Sequence, residues 1–317
     1  MQLNAITRKS AVMAIILLVV IITAAMLRYS FAPFNMELAD SAAHDNVWLL
    51  ILAVALYIGN AILQGKTLSR AGLCSGQCTL PIPIFGLLAC GIFVAPNMVA
   101  ASVASLCLAV ALHLLLRSLQ NLEETDSVFF SSILLGTAAL FYPPCIVLFA
   151  VVPVSVVALA LSLRQAMLML VGYVTPILAA SYIVWYRGGG FLDVANKFFS
   201  ELSSPQMSAI GEVPYLAISI AALVLILLVW GVIHSAVRPI KIFMLMRVRR
   251  ALYFYVFIAL ASLTMIFLPS CDLSALAVVA VPLTILLSCI LDILPNTLST
   301  LAYWTLLILF FVHLFVA

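Results

Sequence analysis

Charged side chains are scarce in this chain of 317 residues, of which Asp, Glu, Lys and Arg make up only 8%. A water-soluble fold needs more of them, because domains of this size still cover their exterior with polar atoms. Hydrophobic residues account for 66% of the sequence, and its mean hydropathy is +1.30. The scarcity of charge therefore excludes a water-soluble domain and predicts that lipid is the solvent for most of the chain.

Internal repeats, low-complexity tracts and a separate soluble domain are also missing from the sequence. Residues 1–317 thus predict a single integral membrane domain. We expect the lipid bilayer as its partner and no nucleic acid, while the sequence leaves its protein partners open. Residues that could bind a ligand or catalyse a reaction are therefore expected in the loops between apolar segments, or among the polar side chains inside those segments.

Long stretches without charge alternate with short stretches that hold nearly all of the Lys, Arg, Asp and Glu residues. A membrane-spanning helix needs roughly 20 apolar residues, or somewhat fewer when it lies among neighbours. The pattern predicts an all-α polytopic helix bundle of about eleven spans. The predicted spans are 11–27, 47–63, 82–95, 98–116, 128–141, 145–162, 166–186, 214–235, 251–268, 273–293 and 298–317.

Two of these segments are short, and each ends at a proline. Pro96 follows the 82–95 segment, and Pro143 with Pro144 follows the 128–141 segment. Proline lacks an amide donor and strains the residue before it, so a helix stops there. We expect the two short segments to form tight helical hairpins with the helices that follow them.

Basic residues indicate the orientation, because short cytoplasmic loops carry an excess of Lys and Arg. With a cytoplasmic N-terminus and the predicted spans, three of the 14 Lys and Arg residues lie outside and all the others lie inside. Fusing either hairpin into one long helix would invert every later loop and remove this bias. The outside residues are Arg28, Arg187 and Lys197, and the inside residues are Arg8, Lys9, Lys66, Arg70, Arg117, Arg164, Arg238, Lys241, Arg247, Arg249 and Arg250.

Two further absences limit the chemistry. Cys74 and Cys78 have a spacing that zinc tolerates, but no second cysteine pair and no nearby histidine completes a site. Two ordinary cytosolic thiols are the simpler interpretation, so we predict no metal site there and no disulfide framework. A coupled transporter normally needs several ionisable groups at midplane depth, and Asp292 and His313 do not supply them.

The first predicted external loop, 28–46, contains three carboxylates close together. Glu37, Asp40 and Asp45 are the candidate catalytic residues, because carboxylates at a membrane surface can act as general bases on a sugar or lipid hydroxyl. They could also hold a divalent cation against a phosphate, and we expect no other cofactor. The alternative is a solvated loop whose charge keeps it in water.

The second predicted external loop, 187–213, opens with Arg187 and three glycines. Glycine lets backbone amides approach a ligand closely, and an arginine can grip a phosphate with two hydrogen bonds. No Lys-Ser/Thr follows, so this is not a phosphate-binding P-loop, and a flexible turn is the alternative. Apolar residues at helical spacing over 191–202 predict an amphipathic helix on the outer surface.

The predicted cytoplasmic loop, 236–250, is rich in basic residues. We expect Lys241, Arg247, Arg249 and Arg250 to attract anionic lipid headgroups or a polyprenyl phosphate, each contributing about 1 kcal/mol near such a surface. The alternative is an anchor that only fixes the topology, and the same charges can do both.

The middle of the chain resembles two related groups of membrane proteins. The run SVFFSSILLGTAALFYPP over 127–144 is followed by an apolar helix, by Arg164 at the membrane edge and by a helix that ends at Trp185 and Tyr186. Over roughly residues 80–190 this pattern is similar to an uncharacterised family of bacterial polytopic inner-membrane proteins. It is also similar to membrane glycosyltransferases with the GT-C fold, in which a Gly-rich apolar helix, a proline-containing turn, a second helix and a basic edge recur.

The resemblance implies a multi-pass protein of the bacterial inner membrane. In the GT-C class an acidic residue of the first external loop acts as catalytic base or metal ligand, and the sugar donor is a polyprenyl phosphate sugar. This resemblance would assign catalysis to Asp40, with Glu37 or Asp45, and binding of the donor phosphate to Arg187 or Lys197. A GT-C-like protein acting on a lipid-linked sugar at the outer face is thus the leading hypothesis.

Two other functions stay open. The chain could be a non-catalytic membrane component or an assembly partner in cell-envelope biogenesis, with ordinary solvated loops. It could also be a flippase or passive transporter, which needs a polar cavity through the helices. A cavity that opens outward beneath Asp40 and is lined by Arg187 or Lys197 would favour the enzyme.

Overall fold

The computed structural model describes the residues 11–31, 47–71, 79–89, 97–120, 125–203, 224–226, 229, 242–268, 270–272, 274–294 and 296–316. Helices and short turns account for these residues, and no strand occurs among them. The predicted all-α fold class is confirmed.

Eleven α-helices and two 3₁₀ helices have defined bounds in the described part of the chain. The α-helices are α1 (Ala11–Phe31), α2 (Val47–Ala71), α3 (Pro81–Ala89), α4 (Met98–Gln120), α5 (Thr125–Phe141), α6 (Val151–Ala158), α7 (Leu163–Tyr186), α8 (Asp193–Ser203), α9 (Ile242–Thr264), α10 (Ala275–Ile293) and α11 (Asn296–Val316). The 3₁₀ helices are Pro143–Ala150, before α6, and Met265–Phe267, after α9.

Five helices are long and apolar enough to cross a membrane, judged by length and composition among the described residues. They are Trp48–Ser69 in α2, Met98–Ser118 in α4, Leu163–Tyr186 in α7, Arg250–Phe267 in α9 with its 3₁₀ extension, and Ala275–Asp292 in α10. Shorter apolar helices cover Ala11–Met26, Thr125–Phe141, Pro143–Ala158 and Thr297–Val312. These helices suit an integral membrane protein, and each overlaps a predicted span.

The remaining predicted spans have different outcomes. The 82–95 segment contains only the nine-residue helix α3, and residues 90–96 lie outside the described part of the chain. Most of the 214–235 segment also lies outside it, apart from the helical residues 224–226 and 229.

Proline ends helix α5 as predicted. The helix stops at Phe141, and Tyr142 takes an extended conformation with φ −135° and ψ 97° before Pro143 opens a 3₁₀ helix. The backbone amide of Cys145 donates to the carbonyl of Tyr142 at 2.9 Å, so the turn is tight. Pro96, at the turn of the first predicted hairpin, lies outside the described residues.

Two predicted loops overlap helices. Residues 242–250 of the predicted cytoplasmic loop form the first turns of α9, so Arg247, Arg249 and Arg250 lie on a helix. The first residues of the predicted external loop 28–46 belong to the end of α1, which continues to Phe31. Hydropathy marks where apolar composition ends, and a helix can continue past that point.

Burial differs sharply between α10 and α7. In α10, 89% of the residues in its 18-residue apolar segment are buried, because the helix packs against α3, α4 and α9. In α7 only 28% of an apolar segment of the same length is buried. Large side chains of α7 such as Val171, Leu178 and Ile183 are exposed. A helix that is apolar on all sides and buried forms a bundle core, whereas the exposed apolar face of α7 suits contact with lipid.

Helices α5 and α7 approach each other at two glycines. A Cβ on Gly172 would meet the Ser132 hydroxyl and would lie 3.0 Å from the Phe129 carbonyl oxygen. A Cβ on Gly136 would meet the Tyr173 carbonyl oxygen and would lie 2.6 Å from Cγ of Pro176. Both pairs advance in the same direction along the two helices, so α5 and α7 run parallel. Small residues at such crossings are how membrane helices bring their backbones close.

Candidate functional site

A polar cluster centred on Asp272 joins three separate turns of the bundle. The Tyr142 hydroxyl donates to Oδ1 of Asp272 at 2.5 Å, and the Ser274 hydroxyl donates to the same oxygen. The Asn97 side-chain amide donates to Oδ2 at 3.0 Å. The carboxylate is half-buried and accepts three hydrogen bonds, two of them from residues distant in sequence.

Each member of the Asp272 cluster lies where a helix begins or ends. Asn97 directly precedes α4, and its carbonyl accepts from the amide of Ala101. Tyr142 separates α5 from the following 3₁₀ helix, and Asp272 lies in the turn before α10, where its carbonyl accepts from the amide of Ala275. The start of α4, the end of α5 and the start of α10 therefore share one end of the bundle.

Burial and the charge of Asp272 raise the pKa of two neighbouring side chains. Burial, followed by the nearby Asp272 charge, raises the pKa of the Tyr142 hydroxyl above its usual value, so the phenol stays a neutral donor. The same two causes raise the pKa of the Cys271 thiol to about 11. This thiol therefore stays protonated at neutral pH and is a poor nucleophile.

Three donors on one carboxylate favour a structural role for the Asp272 cluster. A carboxylate has about four acceptor positions, and the Tyr142, Ser274 and Asn97 groups occupy three of them. The cluster thus holds turns together and leaves little of the carboxylate for a ligand. In the described part of the chain, no group of three or more His, Cys, Asp or Glu side chains is placed to hold a metal ion.

The chain matches no family model, no curated protein sequence and no solved structure.

The predicted phosphate-binding residues lie beyond the apolar part of α7. Arg187 follows the last residue of α7, where its backbone amide donates to the carbonyl of Ile183 at 3.2 Å, and its side chain is exposed. Lys197 lies on α8, with Nζ 3.7 Å from Oε1 of Glu201, and 78% of its side chain is exposed. Both cations are therefore presented at the surface.

The predicted amphipathic helix is confirmed as α8, Asp193–Ser203. The Asp193 carboxylate accepts from the backbone amide of Gly190 at 2.6 Å, and Gly188, with φ +90°, makes the turn that only glycine adopts easily. No residue of α8 is buried, and Phe199 is 61% exposed on it. An amphipathic helix whose apolar face is only partly covered, directly after a candidate span, suits the membrane surface.

The predicted catalytic residues Glu37, Asp40 and Asp45 lie outside the described residues, as does Lys241. Their roles stay predictions. Arg250 is exposed near the start of α9.

A buried polar ladder joins α2 to α4, and the sequence patterns did not predict it. The Asn60 amide donates to the Ser105 hydroxyl at 3.0 Å, and the Gln64 amide donates to the Asn60 side-chain oxygen at 3.0 Å. Further along, Oγ1 of Thr67 lies 2.9 Å from Nδ1 of His113. The Asn60–Ser105 and Thr67–His113 hydrogen bonds bind α2 to α4, each at about 1 kcal/mol, whereas the Gln64–Asn60 bond lies within α2.

A signal for the Asp272 cluster was present in the sequence. Asp272 is the one acidic residue between Glu212 and Asp292, and it falls in a very short turn between two predicted spans. A single carboxylate in such a turn must find donors close by, since it cannot move far into water. What the sequence does not contain is the identity of those donors.

Proposed function

We propose that this chain is a polytopic membrane protein of about eleven spans with a cytoplasmic N-terminus. The apolar helices and the exposed apolar face of α7 support the membrane location. The Asp272 cluster supports the alternation of helix direction, because it joins the turns at Asn97, Tyr142 and Ser274, all three of which the predicted topology places outside.

The orientation is testable at the two ends of α7. Arg164 and Lys197 are both exposed, and the proposal places them inside and outside, respectively. We expect a membrane-impermeant maleimide added to intact cells to label Lys197→Cys, and to label Arg164→Cys only after the membrane is permeabilised. The native cysteines are replaced beforehand. Labelling of both sites from one side, or the reverse pattern, would overturn the proposed orientation.

The function that we propose is the handling of a lipid-linked phosphate, of the polyprenyl phosphate class, at the outer end of α7. The observation that carries this proposal is the position of Arg187, a cation at the end of a long apolar helix and next to an amphipathic one. Tyr182 and Trp185 are exposed one turn earlier, with ring centroids 5.8 Å apart. Exposed aromatic residues of this kind belong at the headgroup level, so Arg187 lies at the depth of lipid phosphates.

Binding of a polyprenyl phosphate tests the role of Arg187. We expect Arg187→Ala to weaken saturable binding to the purified protein in nanodiscs about five- to tenfold, because one charge-assisted hydrogen-bonding group is lost at an exposed site. Arg164→Ala is the matched control, since Arg164 is exposed at the other end of the same helix, and its affinity should stay within about twofold of wild type. Equal losses in both variants, or no saturable binding by wild type, would refute the proposal.

Catalysis is a separate step of this proposal. By the GT-C resemblance, Asp40 with Glu37 or Asp45 would supply the catalytic base or metal ligand for transfer of the lipid-linked sugar. We expect Asp40→Asn to abolish transfer of the lipid-linked sugar and to keep polyprenyl phosphate binding. This result would support an enzyme.

The non-catalytic alternative also has an observation in its favour. Lys197 is close to Glu201 on its own helix, and Arg187 is exposed, so both cations have the surroundings of ordinary surface groups. Binding of polyprenyl phosphate without any turnover would favour a membrane component or assembly partner over a glycosyltransferase.

A further inference from the structure

A cleft of about 720 Å³ lies between the end of α4 and the beginning of α5. Its lining residues are Leu114, Arg117, Thr125, Asp126, Ser127, Phe130, Ile133 and Leu134. The volume falls in the range of sites that hold small organic ligands, and the walls are mostly apolar. The cleft belongs to the end of the bundle opposite Asn97 and Tyr142, because α4 begins and α5 ends at the Asp272 cluster.

The lining of the cleft changes character along its length. Thr125, Asp126 and Ser127 form the first turn of α5, and Arg117 lies in the last turn of α4, so the polar groups collect at the helix ends. Phe130 and Ile133 follow one and two turns deeper along α5, and Phe130 is 57% exposed. A ligand that fills the cleft must therefore have a polar head and an apolar tail, as a membrane lipid has.

Among the described residues, the polar end of the cleft carries one charge of each sign. Arg117 and Asp126 are both exposed lining residues, and they come from different helices. Arginine binds phosphate well through its planar set of donors, whereas a carboxylate repels phosphate and attracts an ammonium group. Asp126 also suits its position in the first turn of α5, where the helix dipole stabilises negative charge.

We propose that this cleft binds a phospholipid whose headgroup is phosphoethanolamine. Arg117 binds the phosphate, Asp126 accepts hydrogen bonds from the primary ammonium, and the acyl chain lies on Phe130, Ile133 and Leu134. An anionic headgroup without an amine would satisfy Arg117 and be repelled by Asp126. A quaternary ammonium headgroup has no N–H to donate to that carboxylate.

Competition between defined lipids tests this site on the purified full chain. Native mass spectrometry is used to compare the binding of phosphatidylethanolamine, phosphatidylglycerol and phosphatidylcholine with the same acyl chains. We expect wild type to bind phosphatidylethanolamine about fivefold more tightly than either of the others, the effect of one exposed charge-assisted contact. Asp126→Asn should remove this preference, and Asp126→Glu should keep most of it. Arg117→Gln should weaken the binding of all three lipids about fivefold.

Charges outside the cleft provide the controls. Arg164→Gln and Glu201→Gln remove exposed charges that do not line it, so both variants should keep the wild-type preference. Arg187→Ala should keep it too, which separates this site from the polyprenyl phosphate proposal. A wild type that prefers phosphatidylglycerol, that shows no preference, or whose preference survives Asp126→Asn would overturn the assignment.

Discussion

Replacing Asp272 with alanine is expected to lower the free energy of unfolding by about 2–4 kcal/mol. The substitution leaves the Tyr142, Ser274 and Asn97 donors without their acceptor, and the Tyr142 side chain is almost completely buried. A buried donor without a partner costs more than the hydrogen bond contributed, because the group has lost its water as well. Unfolding of the purified protein in mixed micelles of increasing denaturing detergent measures the effect.

A carboxylate on the surface of α8 provides the control for Asp272. Glu201→Gln removes an exposed partner of Lys197 and should change the stability by less than about 0.5 kcal/mol. A double-mutant cycle with Tyr142→Phe and Asp272→Ala should give a coupling energy of about 1–2 kcal/mol. If the two substitutions lower the free energy of unfolding additively, or if Asp272→Ala is as stable as wild type, the cluster does not hold the turns together.

Gly136→Ala is expected to disrupt the packing of α5 on α7 at a cost of about 3 kcal/mol or more. The added methyl group would meet the backbone carbonyl of Tyr173 and would lie 2.6 Å from Cγ of Pro176, which lies inside α7. Neither obstacle can move aside as a flexible side chain would, so one whole helix has to shift. The same detergent unfolding assay measures the loss, and a lower melting temperature should accompany it.

Gly59 provides a matched control for Gly136, since it is also a glycine in the interior of an apolar helix. A Cβ at Gly59 would meet nothing within 4 Å, so Gly59→Ala should be neutral or stabilise the protein by up to about 1 kcal/mol. Equal effects of the two substitutions would mean that helix propensity, and not the approach of α5 to α7, determines the result at Gly136.

The sequence by itself determined the solvent of this protein and most of its helices. With 8% charged residues, an apolar surface has to face lipid whatever the arrangement of the helices. Local rules were enough to place the end of α5 before Pro143 and the amphipathic helix α8, because proline and helical spacing act within a few residues. They did not predict that residues 242–250, in the predicted cytoplasmic loop, form the start of α9.

Only the tertiary structure decided which polar groups meet. The partners of Asp272 come from turns 130 and 175 residues away in sequence, and no periodicity or spacing connects residues so distant. The close approach of Gly136 to Tyr173 and the placement of Arg117 and Asp126 at one cleft likewise depend on how α4, α5 and α7 pack. An apolar segment specifies that a helix lies in lipid. Because lipid is equally apolar on every side of the helix, hydrophobicity does not determine which helices pack against each other. That choice depends on close packing at small residues and on hydrogen bonds between helices, which exist only once the bundle has formed.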